Sequence, residues 1–433
     1  MTSKRYTGNI ITDTPTDSTG NSGANYGVAT GVWSLSEART FSAAGNWPIP
    51  ASAPSAPTIG TATAGVEQAT VAFTPNADDG GLDVTSFTAT SNPDSITASA
   101  SSSPITVTGL TNGTAYTFTV TATNSAGTSA ASSASNSVTP TNPASRSLFA
   151  GGEYSSKFNI IDYVTTASTG NATDFGDLTV ARGGLAGASS VTRATFAGGQ
   201  TSSTVNTIDY VTINTTGNAA DFGDLNILVN SLAGHSSETR GFFGGGGLSN
   251  GQVTNFIDYI TIASTGNASD FGDLTQGRNG LAAGASTTRG GFGGGSTTSG
   301  VVNTIDYITI ASTGNATDFG NLGGATNQIA GLSNDTRAVF GGGNLNGSIT
   351  DTMAYVTISS TGNSTDFGNL IANRRLSAGS ASQTRGLFGG GLGPSIDNVI
   401  QYITIASTGN ATDFGDLTQA RYQPAATATR GGV

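Results

Sequence analysis

The chain has 433 residues, 63 of them glycine, with one histidine, no cysteine, and 16 basic against 27 acidic residues for a net charge of -11. That balance argues against a protein that binds by neutralising nucleic-acid phosphates or an anionic membrane surface. Without cysteine there are no disulfides or thiolate metal sites, and no stretch is apolar and long enough to span a bilayer.

Residues 1–54 are too polar and too short to build a core. The opening "MTSKRYTGNIITDTPTDSTG" carries no apolar run of a secretory signal, so the expectation is a soluble chain made in a cytoplasm without Sec export. The phrase "GVWSLSEARTFSAAGNWPIP" holds Trp33 and Trp47, the only tryptophans, and Ser34 or Ser36 is placed to cap a short helix through Thr40 to Ala44. It reads either as a tail that packs on the next domain or as a docking segment anchored by its aromatics, which are enriched at interfaces. "GVWSL" and "NWP" at this spacing resemble a segment of structural proteins of tailed phages, marine ones in particular. That resemblance covers this stretch alone and implies docking to other virion proteins through residues 1–54, with Trp33 and Trp47 as anchors.

Residues 55–141 read as a β-sandwich. "ATVAFTP", "VTSFTATS", "PITVTGL", "AYTFTVTATN" and "SNSVTP" are short alternating runs separated by turn residues. Tyr116, Phe118 and Val120 share one face, and Leu110 precedes Tyr116 by six residues. This stretch resembles the fibronectin type III fold, with Tyr116 in the tyrosine-corner place and Phe73 where the family usually carries a tryptophan.

From residue 142 to 433 the chain repeats itself. Tyr163, Tyr210, Tyr259, Tyr307, Tyr355 and Tyr402 recur at spacings of 47, 49, 48, 48 and 47, each followed twelve residues later by a phenylalanine, Phe175 through Phe414. The phrase at Gln401, "QYITIASTGNATDFGDLT", is typical. A second phrase of the type "TRGFFGGGG" recurs from Thr192, Thr239, Thr288, Thr336 and Thr384, with "SRSLFAGG" at Ser145. Six copies of a unit this long suit four-stranded propeller blades. In the unit around residue 300, "NGLAAGAS", "GGFGGG", "NTIDYITIAS" and the segment from Ala316 to Leu322 give four strands running from small side chains to bulky ones. Blades crowd near an axis and spread away from it, which selects that gradient. Glycines ending the second strand (Gly341, Gly342, Gly343), a tyrosine in the third (Tyr355) and an aromatic opening the fourth (Phe367) resemble the kelch repeat, with Phe in place of the usual Trp and a longer Tyr-to-aromatic spacing.

The fold class expected is therefore all-β: an extended N-terminal segment, a fibronectin type III-like sandwich and a six-bladed kelch-like β-propeller. The first unit begins at its second strand and the last is followed by a spare first strand, so residues 423–429 are expected to complete the blade begun at Arg146 and remove two exposed sheet edges.

Chemistry is sparse. Copper radical oxidases similar to galactose oxidase need two histidines and a cysteine, which the chain lacks. A sialidase-type site needs an unrepeated arginine cluster, whereas Arg193, Arg240, Arg289, Arg337 and Arg385 recur blade by blade and are expected to brace hairpins. Asp162, Asp209, Asp258 and Asp306 recur in the same way. Asn171, Asp174 and Asp177 sit in an oxygen-rich turn, but their spacing fits no standard calcium loop and suits plain turn chemistry. Asn171, Asn267, Asn315, Asn363 and Asn410 open N-x-Ser/Thr triplets, read as turn residues too. His235 stands where other units have Ala188 or Leu332, and is expected to be structural or channel-lining. No catalytic residues, no metal ligands and no cofactor are assigned.

What varies between units is the loop joining second and third strands: "EYSSKF", "QTSSTV", "GLSNGQV", "STTSGVV", "NLNGSI" and "GLGPSID". Variable loops on a constant scaffold commonly build binding surfaces, although loops also drift where packing leaves them free. Candidate ligand-binding residues are Tyr154, Lys157, Gln200, Asn250, Gln252, Asn344 and Asn346. The functional expectation is a non-enzymatic structural and adhesion protein of a tailed phage virion, in a tail fibre, baseplate or capsid fibre, that presents a propeller to a host surface glycan or protein. The alternatives are a bacterial surface or secreted adhesin and, further off, a glycan-active enzyme. No nucleic acid and no membrane insertion are expected, and homo-oligomers are compatible with the sequence.

Overall fold

The computed structural model describes residues 51–111, 113–140 and 145–428. Trp33, Trp47 and the helix expected through Thr40 to Ala44 lie outside the described residues. Among those described, every regular element is a strand. The chain divides into two compact units, Met1–Asn142 and Pro143–Val433.

In the first unit, β1 (Thr58–Ala64), β2 (Gln68–Thr74), β3 (Ser86–Asn92), β4 (Thr97–Ala100), β5 (Ile105–Thr108), β6 (Thr117–Asn124) and β7 (Gly127–Thr128) form two sheets ordered β1-β2-β5 and β4-β3-β6-β7. Alternation dictates the core: Ala69, Val71 and Phe73 from β2 meet Phe87, Phe118 and Val120 from the other sheet, and all are buried. Phe73 and Phe87 pack with ring centroids 4.8 Å apart. Tyr116 is fully buried; its hydroxyl accepts from the Thr111 N–H at 3.1 Å and donates to Asp94 Oδ2 at 2.9 Å. Tyr116→Phe is expected to cost about 1–2 kcal/mol in a thermal melt, because the Thr111 N–H and Asp94 both lose their partly buried bonds to the hydroxyl.

"SNSVTP" is not a strand; only Val138 bridges to Tyr116. Instead Ser129, Ser132 and Ser135 clamp the edge of β6. Their N–H groups donate to the carbonyls of Ala122, Val120 and Phe118, and their Oγ atoms accept from the N–H groups of those residues. Serine every third residue gives a stretched edge its hydrogen bonds without a regular ladder.

The second unit contains six open four-stranded antiparallel sheets. In sheet 2 the order is Ala186–Ser189, Arg193–Ala197, Thr207–Thr212, Ala220–Asp224. Sheets 3 to 6 repeat it, opening with Ala233–Ser236, Ala282–Ala285, Ala330–Ser333 and Ala378–Ala381. Sheet 1 takes its first strand from the far end of the chain: Ala425–Ala428 pairs with Arg146–Ala150, Ala425 opposite Ala150 and Ala428 opposite Ser147.

First strands are small because neighbouring backbones touch there: a Cβ on Gly234 would lie 2.5 Å from the Gly187 carbonyl oxygen. Third strands are apolar on both faces, as with fully buried Ile208 and nearly buried Val211. Tyr163 and Phe175 meet edge to face at 5.8 Å, and the same pair recurs in each sheet.

Candidate functional site

The sheets are tied to one another by contacts that recur six times. Each "TRG"-type arginine stacks on the tyrosine of its own sheet, Arg193 lying 4.4 Å from the Tyr210 ring, and reaches past it to a carbonyl of the next sheet. These bonds run from Arg146 to Ile213, Arg193 to Ile262, Arg240 to Ile310, Arg289 to Ile358, Arg337 to Ile405 and Arg385 to Thr166, at 2.9–3.3 Å. The arginines therefore brace one sheet against the next, beyond the hairpin assigned to them from sequence. The turn asparagines act likewise. Asn171 Oδ1 accepts from the Asp416 N–H at 3.1 Å, and Asn218, Asn267, Asn315, Asn363 and Asn410 do the same for the sheets before them. The recurring "TGN" thus bonds the fourth strand next door. Among the described residues no group of three or more His, Asp or Glu is placed to hold a metal ion.

A second set of arginines, not singled out by sequence reasoning, lies seven residues after the repeated phenylalanine: Arg182, Arg278, Arg374 and Arg421. Three form buried ion pairs with the third-strand aspartates: Arg182 with Asp209 at 3.1 Å, Arg278 with Asp306 at 2.7 Å and Arg421 with Asp162 at 2.7 Å. Burial pulls each guanidinium's pKa down and the facing carboxylate pulls it back up, so all remain charged. In sheet 5 both partners are gone together, as Thr326 and Ala354. In sheet 6 Gln401 replaces the aspartate, and Arg374 turns to Asp397 at 3.3 Å.

Sheet 3 keeps the acid alone: Val229 stands where the arginine would be, and Asp258 has no ion pair among the described residues. Asp258 accepts two bonds from Asn226, yet burial holds its carboxyl above the usual range. A raised pKa means the folded state binds its proton more tightly, so the contribution to stability is full below the unfolded pKa and is lost as pH rises through the folded one. Asp258→Asn, with the Asn226 amide turned over to accept from the new Nδ2, is expected to stabilise the unit at pH 7 by on the order of 1 kcal/mol. The gain should vanish near pH 3 in melts across pH; a gain independent of pH would show that charge is not the cause.

The loops between second and third strands are small ribbons, each fastened to the linker that enters its own sheet. Glu153 bridges to Tyr422 and Lys157, Gln200 to Gly183 and Thr204, Gly247 to Asn230 and Val253, and Leu392 to Arg375 and Ile396. Ser296 pairs with Val301 and bridges to Asn279, while Asn344 pairs with Ile349 and Asn327. This placement spreads the candidate residues over four ribbons, three holding a pair and one holding Gln200 alone. Tyr154 is 56% exposed and directly follows Glu153, whose carboxylate pairs with Lys157 at 2.9 Å. Gln200 is exposed at a bridge. Asn250 and Gln252 share one exposed turn, with Asn250 Oδ1 accepting from the Gln252 N–H. Asn344 is half-buried in its ribbon, and Asn346 is exposed at the tip with φ of 50°.

Just before the first strands, the same linkers build a closed circuit of backbone bonds. Ser231 N–H donates to Gly184 O, Gly280 to Ser231, Gln328 to Gly280, Leu376 to Gln328, Gln423 to Leu376 and Gly184 to Gln423, all at 2.7–3.0 Å. These residues rim a cavity walled by Leu185, Leu232, Leu281, Ile329 and Pro424. A second cavity borders the first strands and includes His235, whose buried ring packs between Phe242 at 5.0 Å and Phe292 at 4.9 Å. Gly290 leaves the room that ring needs.

The chain as a whole matches no curated protein. Its first unit does carry a family signature that agrees with the two-sheet order and the buried Tyr116: residues 52–138 are a fibronectin type III domain.

Proposed function

We propose that the six sheets are the blades of a kelch-like propeller, and that the chain is a non-enzymatic adhesion protein of a tailed phage virion. The observation that carries this reading is the division of labour within the repeat. Arginine, tyrosine and asparagine, identical in every unit, hold sheet to sheet, while the ribbons between second and third strands differ in all six. Residues 1–54 attach the chain to other virion proteins, the fibronectin type III domain serves as a spacer, and the ribbon side of the propeller meets a host surface glycan or protein. The bonds from sheet 6 back to sheet 1, Arg385 to Thr166 and Asp416 to Asn171, support ring closure.

The test is mass spectrometry of purified virions with immunogold labelling by antibody to the second unit. Label at a fixed place on tail or capsid is the expected result. Its absence from virions, with the protein on bacterial surfaces, overturns the virion reading in favour of a bacterial adhesin.

A further inference from the structure

The cavity rimmed by the six linker residues carries backbone strain in an unexpected place. All six residues have left-handed backbones: φ is 69° at Gly184, 53° at Ser231, 61° at Gly280, 54° at Gln328, 57° at Leu376 and 55° at Gln423. Glycine adopts this conformation freely and other residues pay for it. Two units use glycine, which shows that the rim can be built without strain. Elsewhere in the described part of the second unit, the sole non-glycine residue with such a backbone is Asn346, a residue type that tolerates it. Four strained side chains around one opening therefore point to side chains that are used.

Their chemistry defines what they would hold. The wall is aliphatic, the rim supplies two amides and a hydroxyl, and no charged side chain among the described residues lines the cavity. Arg375 donates to Gln328 Oε1 at 2.8 Å, which leaves the Gln328 Nε2 as a donor. Ser377, also on the lining and 9% exposed, has a buried Oγ with no hydrogen-bond partner among the described residues. An apolar wall next to uncharged donors and acceptors matches a sugar ring, which has a C–H face and a hydroxyl edge. We infer that this mouth, with Ser231, Gln328, Leu376, Ser377 and Gln423, is a binding site for the terminal residue of a neutral saccharide. The inference rests on the adhesion reading for the source of the ligand and moves the site from the ribbon tips to the cavity between the sheets.

The strain supplies an unusual control. Ser231→Gly, Gln328→Gly, Leu376→Gly and Gln423→Gly combined copy the residue already present at Gly184 and Gly280, so the rim backbone is kept while the Arg375 bond to Gln328 is lost. A cooperative melt of the variant establishes that it is folded before binding is compared. The full chain and this variant are compared on immobilised oligosaccharides ending in galactose, glucose, mannose or N-acetylglucosamine, with sialylated and sulfated ones alongside. Binding to a neutral set, weakened roughly tenfold or more in the folded variant and also in Ser377→Ala, is the expected result. Equal binding by both chains overturns the site. Binding confined to the anionic glycans, or to none, overturns the saccharide class assigned. Labelling of virions and attachment of the chain to host cells are scored separately, so attachment that survives the glycine variant leaves the adhesion reading standing while this site falls.

Discussion

Arg278→Ala is expected to destabilise the second unit by about 3–5 kcal/mol, the cost of leaving a buried carboxylate without its partner. Arg278 is fully buried; its guanidinium sits 2.7 Å from Asp306 and donates to Thr304 O at 2.8 Å and Phe292 O at 3.2 Å. The chain contains its own control, because sheet 5 carries Thr326 and Ala354 at these places and keeps the same strand order. The double substitution Arg278→Thr with Asp306→Ala should therefore recover most of the loss. Calorimetric melts of the single and double variants check this as a cycle. If the double variant is as unstable as the sum of the singles, the pair contributes through packing and not through its charges.

Deleting residues 423–433 should be more disruptive still. The cut removes the strand Ala425–Ala428 and with it the four-residue register against Arg146–Ala150. It also takes Gln423 out of the circuit, stranding the Leu376 carbonyl and the Gly184 N–H. The edge of Arg146–Ala150 then faces solvent with unpaired N–H and C=O groups and buried Leu148 and Phe149 uncovered. The expected result is a chain that aggregates or loses its cooperative melt, read by size-exclusion chromatography and calorimetry. A soluble monomer with an unchanged melting temperature would falsify the role given to that pairing.

Much of the fold was legible because the repeat reports the same burial six times. The spacing of Tyr163 to Tyr402 and the alternation in "TFTVTATN" each follow from side chains that must face a core at period two. The candidate site was less legible. Tyr154, Gln200 and Asn250 were chosen as exposed polar residues in variable loops, a local property, and they do lie exposed on separate ribbons. Ser231, Gln328, Leu376 and Gln423 gave no such signal. Each has a left-handed backbone and bonds the neighbouring linker, 47 to 49 residues away in sequence for most of the circuit. A comparison of the six units at this position, glycine in two and larger residues in four, was the one clue available.

The sequence alone determined the strand class, the six-fold repeat, the gradient of side-chain size and the absence of thiolate chemistry, since composition and periodicity report what each residue must bury. Tertiary structure decided how the repeats are fastened. Arg193 bonds a carbonyl 69 residues further on, Asn171 an amide 245 residues away, and Asp162 a guanidinium 259 residues away. Such partners come together because small first strands let backbones approach, and no local propensity encodes a bond whose other half lies in the next sheet.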